Sequence, residues 1–189
     1  YGTDKPDLRF DFVIEDATEA TRGSGFRVLA QAPCVRFLRC PKVFSRAELA
    51  RLEEQAKEWG AAGLASLAVD ESGELRPPIA KFLSEAELAS LRPQPGSTLL
   101  LCAGEEETVA RVLGNLRLQL GRKFGLIDDE AFALVWVTDF PMFEWSEEEG
   151  RWQARHHPFT RPAPGWEAGF DADPGAAIAL AYDLVANGH

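Results

Sequence analysis

The sequence has few of the features that mark secreted, membrane or metal-binding proteins. Its 189 residues contain three cysteines, and none has the CxxC spacing of zinc and redox sites. We therefore expect no disulfide scaffold and a reducing, cytoplasmic compartment. No apolar run approaches the roughly 20 residues of a membrane span, and the polar first residues are unlike a signal peptide. Motifs of zinc proteases, serine hydrolases and phosphate-binding loops are also absent from the sequence.

The charge balance is acidic, with a formal net charge of -10 and a pI of about 4.8. Such a chain does not attract nucleic acid by its overall field, because phosphate binding depends on Lys and Arg. Any contact with nucleic acid would need a local patch or other domains. The apolar content of 46% and charged content of 26% are typical of a folded protein.

Three helices are predicted in the middle of the chain. Ser45 with Glu48, and Ser84 with Glu87, have the spacing of a capping box, in which each side chain bonds the other's backbone N–H. The third helix, over 105–124, begins with glutamates and ends with basic residues, as the helix dipole favours. Its apolar residues recur at helical spacing.

Strands alternate with these helices, and apolar runs predict them at 26–29, 34–38, 64–69, 79–83 and 98–101. The alternation predicts a compact α+β domain over 24–125, a mostly antiparallel sheet with helices on one face. We expect a connector over 1–23 and a separate region over 126–189 that contributes antiparallel strands.

The last region carries the candidate site residues. The apolar run 132–137 predicts a strand covered on both faces, and 142–157 reads as a hairpin with an acidic tip. Asn187-Gly188 is a typical two-residue hairpin turn. Asp139 ends the first strand, where it could bind a ligand, orient a histidine or cap a turn.

Two adjacent histidines, His156 and His157, lie in the second arm of that hairpin. Neighbouring residues on a strand point to opposite faces, so they form a poor chelating pair. From the residues alone, two interpretations stay open. In the first, both histidines are hydrogen-bonded structural residues. In the second, one of the two imidazoles contacts a polar ligand.

Three ordered segments carry a family resemblance: YGTDKPDLR over 1–9, WVTDFPMFE over 136–144 with HHPFT over 156–160, and AYDLVANG over 181–188. Together they resemble bacterial aspartyl-tRNA synthetase, a class II enzyme. The region between the first two is similar to the GAD domain that these enzymes carry as an insertion in their catalytic core.

The resemblance implies part of an aspartate–tRNA ligase, a homodimer that activates aspartate with ATP and Mg²⁺ and passes it to the tRNA 3′ end. It implies that His156 contacts aspartate, with His157 in support. Lys5, Asp7 and Asp139 would border the same cleft, and no catalytic or metal-binding residue is assigned. The family's ATP-binding motifs do not occur in these residues, so we expect the chain alone to be inactive, without a cofactor. The alternative is a stand-alone, non-catalytic GAD-type module that binds tRNA or protein.

Overall fold

A computed structural model describes residues 1–77, 79–155, 159–166 and 172–189. The chain divides into two compact units. Unit 1 contains Tyr1–Thr3 and Arg9–Glu130, and unit 2 contains Asp4–Leu8 and Ala131–His189.

Unit 1 is built on one five-stranded sheet, in the order β1-β2-β5-β3-β4, and every pairing in it is antiparallel. Its strands are β1 (Ile14–Asp16), β2 (Cys34–Cys40), β3 (Ala65–Val69), β4 (Leu75–Arg76) and β5 (Ser97–Gly104). Its helices are α1 (Arg27–Ala30), α2 (Arg46–Glu58), α3 (Glu85–Leu91) and α4 (Glu106–Lys123), with 3₁₀ turns at Glu19–Thr21 and Ile79–Phe82. The α+β class with a mostly antiparallel sheet is confirmed.

The central strand β5 is buried on both faces. It pairs with β2 along one edge and with β3 along the other. Leu100 and Cys102 point into an apolar cluster with α2 and α4, whereas Leu99 and Leu101 point into a second cluster. This alternation follows from the two-residue period of a strand. The continuous apolar run of β5 therefore supplies side chains to two separate apolar clusters, one on each face of the sheet.

The long helices α2 and α4 cover one face of the sheet, whereas the predicted helix α3 packs on the opposite face. The Ser45 capping box begins α2, and α4 has acidic residues in its first turn and Arg122 and Lys123 in its last. The apolar stripe of α4 is fully buried and consists of Val109, Val112, Leu113, Leu116 and Leu120. The predicted third helix is therefore confirmed.

Short helical segments cover the opposite face, and here two predicted strands are wrong. Residues 26–29 form the start of α1, where the amides of Leu29 and Ala30 donate to the Phe26 carbonyl at 2.9 and 3.1 Å. Residues 79–83 contain the 3₁₀ turn. Four-residue apolar runs fit both a strand and one buried helical turn. Here the Phe26 and Phe82 rings stack at 5.8 Å and favour the helical turns.

The edge strand β1 precedes the predicted start of the inserted domain at residue 24. It pairs with β2, and Glu15 accepts two hydrogen bonds of 3.0 Å from the Arg39 guanidinium. The boundaries 1–23, 24–125 and 126–189 stay predictions, and the two compact units divide the chain at other points.

The described residues of unit 2 form two strand pairs. β6 (Leu134–Val137) pairs with β9 (Asp183–Ala186), and β7 (Phe143–Ser146) pairs with β8 (Arg151–Ala154), all antiparallel. The hairpin over 142–157 is thus confirmed as far as residue 155. The prediction that strand 132–137 is covered on both faces is wrong, because Leu134 is 51% exposed and Trp136 60%. Among the described residues, no helix combines the length and apolar character needed to cross a membrane.

The capping box of α3 gives a direct test of the local sequence rules. Ser84 accepts a hydrogen bond from the Glu87 amide, and Glu87 accepts one from the Ser84 amide at 2.7 Å. We expect Ser84→Ala to lower the free energy of unfolding by about 1 kcal/mol, measured by urea denaturation. Ser90→Ala, within the same helix and exposed, removes only a hydrogen bond from the Ser90 hydroxyl to the Ala86 carbonyl at 3.0 Å, and it should cost little because alanine is the better helix former. Equal losses in both variants would contradict this account.

Candidate functional site

The predicted site residues Lys5 and Asp7 lie in unit 2, on the short segment Asp4–Leu8. Asp7 is buried, with 4% of its surface exposed, while Lys5 is exposed. The segment passes close to Gly188, where an added β-carbon would lie 3.3 Å from Cβ of Asp7 and 3.7 Å from the Lys5 carbonyl oxygen. A distant part of the sequence thus meets the end of β9.

The turn that follows β9 has the predicted two-residue hairpin geometry. Asn187 and Gly188 both have positive φ, of 50° and 84°. The backbones of Ala186 and His189 exchange two hydrogen bonds of 2.9 Å across the turn. Positive φ at both central residues is the geometry that favours an Asn-Gly pair, so this prediction is confirmed.

Asn187 also has a role that the sequence pattern did not indicate. Its side-chain oxygen accepts from the Ala133 amide at 2.9 Å, and its side-chain amide donates to the Ala131 carbonyl at 3.2 Å. Its own backbone amide donates to the Ala133 carbonyl at 3.1 Å. One side chain therefore attaches the turn to the segment that leads into β6.

Asp139 lies at the other end of the β6–β9 pair. The register joins Val137 to Asp183 and Leu134 to Ala186, so Asp139 follows the end of β6 that is remote from Gly188. The four residues of β6 span about 13 Å. The structure thus brings Lys5 and Asp7 together, and it places Asp139 apart from them.

The conformation of Asp139 is that of a turn residue. Its φ is 60°, and its carboxylate accepts a hydrogen bond of 2.8 Å from the Thr138 hydroxyl. Aspartate adopts left-handed backbone more readily than most residues, because its short polar side chain bonds locally. This geometry agrees with the turn-capping alternative, and the carboxylate is exposed to solvent.

The two histidines predicted to contact aspartate, His156 and His157, lie outside the described residues. The hairpin that leads to them is described as far as residue 155, where the Arg155 amide donates to the Met142 carbonyl at 3.1 Å. Their proposed roles stay predictions.

An exposed apolar surface on unit 2 was not predicted. We call it the β6–β9 outer face, and it consists of Leu134, Trp136, Tyr182 and Leu184, which are between 50% and 68% exposed. The Trp136 and Tyr182 rings meet edge-on with centroids 5.5 Å apart, and Trp136 faces Leu184 across the strand pair. Contiguous exposed apolar groups of this kind mark surfaces that other protein segments cover.

The three cysteines are not candidates for catalysis. All are free and buried. Burial raises the pKa of Cys40 to about 12 and that of Cys102 to about 11, and burial also raises the pKa of Cys34. The thiolate is the nucleophilic form, so these thiols stay protonated near neutral pH. Within the ranges that the structure describes, no three His, Cys, Asp or Glu side chains are grouped to hold a metal ion.

Comparisons with known proteins add what the geometry alone does not provide. The family model of the GAD domain matches residues 27–113. The whole chain aligns with "Aspartate--tRNA(Asp/Asn) ligase" of Nitratidesulfovibrio vulgaris at 47% identity over 195 positions, covering 32% of that protein. The resemblance to bacterial aspartyl-tRNA synthetase is confirmed. A protein of the same name from Moorella thermoacetica is 47% identical to the chain, and "Aspartate--tRNA ligase" of Streptococcus suis is 42% identical to it.

The chain spans about a third of the length of these ligases, while the ligases match all of it. The GAD domain accounts for the centre of unit 1, including β2, α2, β3, α3 and β5. The match of the whole chain shows that unit 2 also corresponds to ligase sequence.

The Asn187 contacts can be tested through the strand pair that they support. We expect Asn187→Gly, which keeps the positive φ accessible, to speed amide hydrogen exchange in β6 by about 5- to 150-fold. The reason is that losing two partly buried side-chain hydrogen bonds costs about 1–3 kcal/mol, and about 1.4 kcal/mol corresponds to a factor of ten. Asn115→Ala, an exposed change on α4, is the control. Unchanged exchange in β6 would show that the Asn187 side chain does not hold the turn.

Proposed function

We propose that this chain is part of an aspartate–tRNA ligase. The complete enzyme activates aspartate with ATP and transfers the aspartyl group to the 3′ end of tRNA. The observation that carries this proposal is the alignment of the whole chain with aspartate–tRNA ligases at 42–47% identity. The alternative of a stand-alone GAD-type module has less support, because the match extends on both sides of residues 27–113.

The exposed β6–β9 outer face supports the same proposal. A two-stranded pair is marginal by itself, and stable sheets have more strands or a covered face. Here Trp136 and Tyr182 remain 60% and 68% exposed. We infer that further parts of the ligase add strands and cover this face, so that β6 and β9 join the antiparallel sheet of a class II catalytic core.

The chemistry of the substrate fits the candidate residues of unit 2. Aspartate carries two carboxylates, and charge-assisted hydrogen bonds from cationic or N–H donors recognise such groups best. Lys5 and His156 supply donors of this type, and His157 supports them. In this proposal Lys5 and Asp7 border the aspartate cleft at one end of the β6–β9 pair, and Asp139 borders it at the other end. We assign the ATP and Mg²⁺ sites to other parts of a homodimeric, cytoplasmic ligase, as the family resemblance implies.

A histidine variant of the complete ligase tests the aspartate site. If His156 donates a hydrogen bond to aspartate, His156→Ala removes a bond to a charged group, worth about 1.5–3 kcal/mol. We therefore expect kcat/KM for aspartate to fall about 10- to 150-fold, while the KM for ATP changes much less. The assay is aspartate-dependent exchange of pyrophosphate into ATP, with the melting temperature recorded for each variant.

The neighbouring His157→Ala is the matched control. It should cost less activity, because the family resemblance gives the aspartate contact to His156 and only a supporting part to His157. Loss of kcat/KM in His157→Ala with normal activity in His156→Ala would show that His157, and not His156, contacts aspartate. Normal activity in both would make the histidines structural.

The isolated chain should have no activity of its own. The groups that stabilise the charge of the transferring phosphate would lie outside these residues, and such stabilisation is usually the largest catalytic contribution. We expect the 189-residue protein to show no aspartate-dependent pyrophosphate exchange, even with ATP and Mg²⁺ in excess. Measurable exchange by the pure chain would disprove the assignment of the ATP site to other parts of the ligase.

A further inference from the structure

The first residues of the chain lie directly on one face of α4. This face is formed by Gly114, Arg117 and Gly121, which follow each other at the three- and four-residue spacing of a single helix face. All three residues are buried. We call them the α4 clamp, and their contacts are made with residues 1–2 and 10–12 of unit 1.

Two glycines let the backbone of the first residues approach the helix. A β-carbon added to Gly114 would lie 2.7 Å from the carbonyl oxygen of Gly2, and one added to Gly121 would lie 2.6 Å from the Phe10 ring. Both distances are shorter than a real carbon contact allows. Glycine within a helix lowers helix stability by about 1 kcal/mol relative to alanine. At these two positions the lower helix stability accompanies a close contact that a larger residue would block.

Arg117 joins the two stretches between these glycines. Its side chain is 1% exposed. The guanidinium donates to the Phe10 carbonyl at 3.1 Å and to the Phe12 carbonyl. Its carbon lies 3.9 Å from the Phe10 ring centroid and 4.7 Å from that of Tyr1. A planar, forked cation can make all these contacts at once, which a lysine ammonium cannot.

The segment between the two attached stretches is Asp4–Leu8, which contains Lys5 and Asp7. Seven residues separate Gly114 from Gly121, which is about 10.5 Å along a helix. The ends of a short segment are therefore held at a fixed separation, and this restricts the conformations open to it.

We propose that Arg117 is a positioning residue, and that the α4 clamp sets the conformation of Lys5 and Asp7 by holding the chain on both sides of them. This inference rests on the proposed function, in which these two residues border the aspartate cleft. The clamp residues follow directly after residues 27–113, which match the GAD domain, on a helix that begins within that match. Arg117 contacts the backbone and rings of its own chain, and its effect on the substrate is indirect.

Hydrogen exchange on the 189-residue chain tests the clamp without any enzymatic activity. We expect Arg117→Lys and Gly114→Ala to speed exchange of the amides of residues 3–5, 7 and 8 at least tenfold, with little change in β5. The controls are Asn115→Ala, exposed on the same helix, and Gly23→Ala, where an added β-carbon meets nothing within 4 Å. Unchanged exchange at residues 3–5, 7 and 8 in both variants would overturn the proposal. Equal acceleration in β5 and in residues 3–5, 7 and 8 in both variants would also overturn it, because the effect would then be general unfolding.

Kinetics of the complete ligase provide the second readout. We expect Arg117→Lys to raise the KM for aspartate by a larger factor than it lowers kcat, because the displaced residues contact the substrate and not the reacting phosphate. An unchanged KM in an active ligase would overturn the positioning role. A wild-type ligase without aspartate-dependent pyrophosphate exchange would instead refute the proposed function. The hydrogen-exchange results on the 189-residue chain would stand independently of that outcome.

Discussion

The burial of β5 on both faces is the constraint on which the rest of unit 1 depends. Its edges are occupied by β2 and β3, so its side chains alternate between two separate apolar clusters. Each cluster has to be closed by other elements, because apolar area left in water is costly. The long helices α2 and α4 close one side, and short helical segments close the other. The same packing buries the face of α4 that receives residues 1–2 and 10–12.

Sequence rules predicted the elements that carry several independent signals. The helices α2 and α3 each have a capping box, and α4 combines a long apolar stripe with suitable charges at both ends. The four-residue runs at 26–29 and 79–83 carry only apolar character, which is compatible with a strand or with a helical turn. Both runs form helical turns in the structure, and the rings of Phe26 and Phe82 stack on each other there. Burial of strand 132–137 was also mispredicted, because an apolar run does not show whether its second face is covered.

The candidate site shows a similar division. The Asn187-Gly188 turn follows from local backbone preferences and could be predicted. The approach of Asp7 to Gly188 joins residues from opposite ends of the chain, and no periodicity in the sequence carries that information. The side-chain bonds of Asn187 and the clamp around Arg117 are long-range for the same reason. The histidines entered as candidates through the family resemblance, and their part in aspartate binding remains a proposal.

The two units differ in how far the described residues cover their sheets. In unit 1, β5 is enclosed on both faces, whereas the β6–β9 pair of unit 2 exposes Trp136 and Tyr182. Amides in enclosed strands exchange only through global unfolding, while poorly covered elements open locally at lower free energy. Native-state hydrogen exchange on the isolated chain measures the free energies of both global unfolding and local opening. We expect the amides of β5 to report the highest opening free energy in the chain, and those of β6 and β9 to exchange at least tenfold faster. Equal protection of β6, β9 and β5 would contradict the view that unit 2 needs the rest of a ligase to complete its sheet.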